Sequence, residues 1–315
     1  MRKLGIVLLI IALAVSLGFN VFMANYIGKQ NSSVRSNLVF GDANSRDTYF
    51  TVHNVAKAHE ISRGKGVKAG ILDNYFGYNR HRELYAGGAN FSGKDLGYLE
   101  TDYHGYWMAV TLKEIAPEAE VYALGVDFDS EEAKVRTMLD AIEWAIDNDL
   151  DVLTYSSSRF SEENEKKLNV VVDEAMERGI VTTFIHYYHP GNILPDGLFT
   201  YRGEADYNRR EPDLNILHYD YNVVIISRYL EYLSSSEEDR ARLTPPFLSI
   251  SSTSPVTAGF VALMKSVKND LPPAEYKRIL MKTGRRLIYR GEDCPRVPDV
   301  YEAVKVISGV AGQKG

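Results

Sequence analysis

The stretch Gly64-Lys65-Gly66-Val67-Lys68-Ala69-Gly70-Ile71-Leu72-Asp73 places a short apolar run behind two glycines and closes it with a carboxylate. A run of this length bounded by turn residues reads as a buried strand over Val67 to Leu72. The glycines precede the strand, whereas a dinucleotide-binding glycine loop follows one, which argues against nucleotide binding. Asp73 stands where that strand ends. A carboxylate there is held rigid and partly out of water, as a group that orients a histidine must be. For an aspartate taken alone, a strand-end turn or a helix cap is the commoner role.

Working outward, the chain alternates two kinds of segment. His104 to Ile115 has helical spacing and stops before Pro117, and Val121 to Val126 is strand-like. Glu131 to Asn148 is amphipathic, with Val135, Met138, Leu139, Ile142 and Ile146 on one face. Val152 to Tyr155 is a strand, Glu162 to Arg178 a helix closed by Gly179, and Ile180 to Ile185 a strand again. Pro190 to Asp220 is polar and aromatic, long for a connection, and such loops are commonly functional. Val223 to Ile226 resumes a strand, and Pro255 to Lys268, Pro273 to Thr283 and Asp299 to Ile307 are helical. This alternation predicts an α/β fold with a mostly parallel sheet covered on both faces, whose sites lie at the carboxyl ends of the strands.

The chain has 315 residues, of which 45% are hydrophobic and 25% charged, within the range of an ordinary globular protein. Its formal net charge is -6 and its basic residues are scattered, so nucleic acid is not an expected partner. One cysteine, Cys294, excludes an intramolecular disulfide and a thiolate metal cage. His59-Glu60 lacks the second histidine of a zinc-peptidase helix, and no GxSxG elbow is present. No metal or organic cofactor is expected.

The N-terminal segment departs from this average. Arg2 and Lys3 precede a charge-free apolar run from Leu4 to Ile27, long enough for one membrane helix. Residues 1–27 are read as a membrane anchor or a signal sequence. The anchor is preferred, because cleavage after Ala12-Leu13-Ala14 would leave Val15 to Ile27 as an apolar terminus. Residues 28–50 are a polar tether, and 51–312 the functional domain. With Arg2 and Lys3 held in the cytoplasm, that domain is expected outside it, or secreted if the segment is cleaved.

Two further places carry reactive side chains. His104, in Asp102-Tyr103-His104-Gly105, opens a helix and has a side chain suited to general-base work. Taken alone it is more often a cap or a surface residue. Ser249-Ile250-Ser251-Ser252-Thr253-Ser254-Pro255 leads into Val256 to Met264, with Pro255 suited to a first helical turn. A hydroxyl-rich N-cap explains one of these serines. It does not explain why the following helix is apolar and small-residue-rich throughout, as a central buried helix would be.

In the order Asp, His, Ser, the three places resemble the subtilisin-like serine peptidases, or subtilases. Gly64 to Asp73 resembles the family's GxGVxVAVxD strand, and His104-Gly105 with Ala109 resembles its HGTHVAG helix. Ile115 to Leu124 is similar to IAPxAxLYAxKV, Ala141 to Asn148 to AIxWAI(N/D)N, and Ser251 to Gly259 to SMASPxVAG. The likeness runs from about Val52 to the C-terminal helices. It implies a subtilisin-like three-layer sandwich that hydrolyses peptide bonds in extended polypeptide, with Ser251 as nucleophile, His104 as general base and then acid, and Asp73 fixing the imidazole.

The sequence also departs from the family. Val152 to Ser158 replaces the family's VINMSLGG, so the resemblance implies that Ser156, Ser157 and Ser158 stand where substrate would lie, with Ser158 narrowing the first specificity pocket or altering how a chain lies there. For the family's oxyanion Asn, gapless counting lands on Tyr188. Asn192, behind Gly191, restores the Gly-Asn pair if about four residues are inserted, and His186 is a third candidate beside the Ser251 amide. Paired His186 and His189 lack a third ligand for a metal. Asn74-Tyr75 replaces Ser/Thr-Gly after the Asp, Tyr106 replaces Thr, and Ser249-Ile250 replaces Gly-Thr before the nucleophile. The anchor and tether leave no room for a folding propeptide, so autoprocessing is not expected. The alternative to a peptidase is a catalytically impaired binding or scaffolding domain on the same fold; an esterase with the same triad is a third reading.

Overall fold

Strand β1 (Lys68–Asp73) lies at the centre of a five-stranded parallel sheet in the computed structural model. The structure describes residues 52–93, 104–157, 159–197, 213–216, 250–289 and 292–309. The expected anchor 1–27, the tether 28–50, the strand Val223 to Ile226 and Ser158 lie outside them. Among the described residues no helix is long and apolar enough to cross a membrane. The chain divides into two compact units, residues 41–287 with 294–315, and residues 1–40 with 288–293. The first holds the site. Of the second, only residues 288–289 and 292–293 are described.

A short helix α1 (Val55–Ala58) precedes β1. There follow β2 (Gly87–Asn90), α2 (His104–Ile115), β3 (Glu120–Gly125), α3 (Glu131–Asp147), β4 (Val152–Tyr155), α4 (Glu162–Glu177) and β5 (Val181–Phe184). The sheet order is β2-β3-β1-β4-β5, and every pairing is parallel. Period-two alternation decides which face each residue serves. Ala69 and Ile71 of β1 join one apolar cluster with α2, while Leu72 joins a second with α3 and α4. The sheet is thus covered on both faces, as the alternation of segments predicts. Ser130 caps α3 by accepting the Ala133 N–H at 3.1 Å, with Glu131 and Glu132 in the first turn.

A 3₁₀ turn (Ile250–Ser252) runs into α5 (Thr253–Lys265), every residue of which is buried. This is the central helix that its all-round apolar sequence implies. Its polar members are handled internally: the Thr257 hydroxyl donates to the Thr253 carbonyl at 2.8 Å, and Lys265 Nζ pairs with Asp151 Oδ1 at 3.2 Å. Helix α5 packs on α2, β4 and β5. Gly259 permits the α2 contact, since a Cβ there would stand 2.5 Å from Ile115 Cβ.

Helices α6 (Pro273–Thr283) and α7 (Val300–Ser308) complete this side. Within the expected loop, β6 (Pro195–Gly197) pairs in parallel with β7 (Leu214–Ile216). Strands β8 (Arg285–Tyr289) and β9 (Glu292–Val297) form a further pair. Their charged, non-alternating text, with Pro295 inside β9, hides them from periodicity, and a proline is compatible with an edge strand.

Candidate active site

The alternation that turns Ala69 and Ile71 toward α2 turns Asp73 the same way. Asp73 is 3% exposed. Its Oδ1 accepts the Asn74 N–H at 2.8 Å, and its Oδ2 accepts the His104 Nδ1–H at 2.7 Å. The start of α2 is tied to the loop after β1, where Gly105 N–H donates to the Asn74 carbonyl at 2.9 Å and Tyr106 N–H to the Tyr75 carbonyl at 3.2 Å. Two donors that a helix N-terminus leaves unsatisfied are thereby used, and the imidazole is brought against the carboxylate. Only glycine fits at 105: a Cβ would lie 2.5 Å from the Asn74 carbonyl oxygen and 2.8 Å from the Phe76 ring. Tyr75 holds φ 55, a left-handed conformation costing a non-glycine residue about 1–2 kcal/mol. Tyr75 thus carries, at the position where the sequence departs from Gly, a backbone conformation that glycine adopts readily.

Burial of His104 by itself disfavours its charged form, but the Asp73 charge and hydrogen bond outweigh that penalty, and its pKa lies above the ordinary 6.5. The hydrogen bond leaves Nε2 as the nitrogen able to take a proton.

Ser251 is half-buried in the 3₁₀ turn, which packs against α2, the helix that His104 opens. From the other side, Thr183 Oγ1 of β5 donates to the Ser254 carbonyl at 3.2 Å. The serine turn thus packs on α2, and the start of the helix it leads into is tied to β5.

Beyond β4, Ser156 is buried with its hydroxyl out of contact with water, and Ser157 is half-buried. Beyond β5, His186 holds φ 58 and is half-buried. Burial first, and the Arg159 charge second, pull its pKa down to about 4, so its imidazole is neutral at physiological pH. Tyr188 is half-buried and accepts a hydrogen bond from Arg159 Nη2 at 3.4 Å. His189 has both ring nitrogens engaged, Nδ1 accepting the Gly191 N–H at 3.2 Å and Nε2 reaching Asp173 Oδ1 at 3.1 Å.

Asn192 requires a correction as an oxyanion candidate. It is fully buried, and its amide is spent inside the fold. Its Nδ2 donates to the Phe184 and Tyr187 carbonyls, both at 3.0 Å, and its Oδ1 accepts the Phe184 N–H at 2.8 Å and the Thr182 hydroxyl at 2.9 Å. No donor remains for a ligand. Lys277 Nζ adds a bond to the Asn192 carbonyl at 2.9 Å, pinning the same turn. Asn192→Ala is accordingly expected to lower unfolding free energy by about 3 kcal/mol, read by urea denaturation, since buried partners lose their hydrogen bonds. Unchanged stability with a selective loss of turnover would return Asn192 to the site.

Sequence reasoning passed over Arg159, a basic residue just beyond the serine run at the end of β4; that position was the available signal. Among the described residues no group of three or more His, Cys, Asp or Glu is arranged to hold a metal.

Comparison with known proteins bears on this arrangement. No family model matches the chain. It is 28% identical over 139 residues to a thermostable alkaline protease of Halalkalibacterium halodurans, covering 41% of this chain and 37% of that protein. It is also 28% identical over 128 residues to subtilisin E of Bacillus subtilis, covering 38% and 33% respectively. The matched region thus spans about a third of the length of these curated relatives. Among solved structures, a protease of Pseudoalteromonas arctica superimposes with a TM-score of 0.58 at 19% identity, covering 85% of this chain and all of that one. Fervidolysin of Fervidobacterium pennivorans, a keratinolytic enzyme related to subtilisin, gives 0.57 at 14% identity, covering 86% of this chain and 48% of that one. These structural likenesses establish the subtilisin-like fold.

Proposed function

We propose that this chain, a divergent subtilase-like protein, is a serine endopeptidase that cleaves extended polypeptide by acyl transfer to water. The observation that carries the reading is the buried Asp73–His104 hydrogen bond, made at the sheet edge where the Ser251 turn packs. In this mechanism Ser251 Oγ attacks the substrate carbonyl as His104 Nε2 takes its proton. Asp73 stabilises the imidazolium, and His104 returns the proton to the leaving amine. Water then repeats the sequence on the acyl-enzyme. The Ser251 N–H supplies one oxyanion donor, and with Asn192 sealed in the fold, His186 or Tyr188 at the end of β5 supplies the second. A neutral imidazole at His186 carries one ring N–H. The segment Ser156, Ser157 and Ser158 borders the substrate, and the Ser156 hydroxyl, turned inward, leaves its backbone as the contacting part.

The apolar run Leu4 to Ile27 supports attachment of the domain to a membrane on the extracytoplasmic side. The sealed Asn192 amide favours one second reading, an impaired binding or scaffolding domain of the same fold.

The pH profile tests the first reading. The base must be neutral, and its pKa is raised, so kcat/KM for a quenched-fluorescent peptide should rise with pH through a limb lying above 6.5. The same shift means that the protonated imidazole stabilises the fold below about pH 6.5, a contribution lost as pH rises through the folded-state pKa. A limb below pH 6, or hydrolysis insensitive to a serine-directed sulfonyl fluoride, would contradict the assignment.

A further inference from the structure

The inference rests on the peptidase reading, in which the segments beyond β4 and β5 border the substrate. β1, β4 and β5 are consecutive neighbours in the sheet, so the segments leaving β4 and β5 emerge at the same edge as Asp73. The first carries Arg159 and the second His186 and Tyr188. Arg159 Nη2 donates to Tyr188 Oη at 3.4 Å, and its guanidinium carbon stands 5.8 Å from the centroid of the Tyr188 ring. The side chain therefore reaches from the end of β4 across to the end of β5. Its charge is felt by His186 on the far side.

Among the described residues from Ser156 to Phe160 and from Ile185 to Gly191, Arg159 is the one permanent cation, and no carboxylate is present. Next in sequence to this pair, Phe160 and Tyr187 meet edge to face at 6.5 Å between centroids and belong to the buried core. A half-buried guanidinium set against the Tyr188 ring suits a planar anion, which it can bind through two parallel hydrogen bonds. Glu165 of α4 acts on the same charge and offsets part of it.

We propose that Arg159 is a specificity residue that selects polypeptides with an acidic side chain beside the cleaved bond. Tyr188 steadies the guanidinium, and the substrate carboxylate adds to the partial charge compensation that Glu165 gives.

The test uses the full chain and quenched-fluorescent peptides that differ only at the residues flanking the cleaved bond. The Glu peptide should exceed its Gln counterpart in kcat/KM by roughly 10- to 100-fold, the range of a hydrogen bond to a charged group. Arg159→Gln should abolish that ratio by lowering the Glu peptide far more than the Gln peptide, Arg159→Glu should shift preference toward Lys, and Glu165→Gln should widen the wild-type ratio. Cleavage without acidic preference overturns the inference alone, as does Arg159→Gln lowering both peptides equally. Absence of cleavage together with absence of fluorophosphonate labelling overturns the peptidase reading, and this inference falls with it.

Discussion

Ser251→Ala is expected to lower kcat by about 10⁶ with KM nearly unchanged, the scale measured when a subtilisin loses its nucleophile. The Ser251 turn leads into a helix whose thirteen residues are all buried, so removing one hydroxyl before it leaves the scaffold intact. His104→Ala should cost a similar factor, and the double variant little more, because the two groups act as one unit. Purified variants assayed on one peptide over a range of concentrations would show it. Losses that multiply in the double variant would mean that serine and histidine act independently, against the proposed mechanism.

Asp73→Asn is expected to lower kcat by about 10⁴ while the fold persists. An amide can still meet the His104 ring, but it can present an N–H to Nδ1, which moves the imidazole proton to Nε2 and leaves no base facing the serine. The same change removes the charge that, together with its hydrogen bond, outweighs the burial penalty on His104. The limb of the pH profile should therefore move to lower pH as turnover falls. A stopped-pH series on wild type and variant separates this from simple unfolding, which would abolish residual turnover and the folded circular dichroism signal together. A fall in turnover with an unmoved limb would show that Asp73 does not set the histidine's ionisation.

The Asp73–His104 pairing was legible because two periodicities converge on it. The strand's period of two turns Asp73 toward the face that α2 covers, and the helix that covers it begins at His104. The central position of α5 was legible for a similar reason, since a helix apolar on every side has no face to give to water. Asn192 misled because a Gly-Asn pair has the same letters whether its amide points into a cleft or into the fold. The direction is fixed by the turn from His186 to Gly191 and by Lys277, far away in sequence. Arg159 was missed because a single charge on a loop carries no period; only the adjacency of β4 and β5 brings it to Tyr188. Tyr75 shows the same limit, as nothing in its identity indicates that it takes over a glycine's backbone conformation.

The most direct measurement is fluorophosphonate labelling of the full chain, with mass spectrometry to locate the adduct. The account predicts one stoichiometric adduct on Ser251, absent in His104→Ala and strongly slowed in Asp73→Asn. A folded protein that takes up no label, or takes it up elsewhere, would contradict a serine nucleophile charged by His104. It would leave the chain as a binding domain built on a peptidase fold.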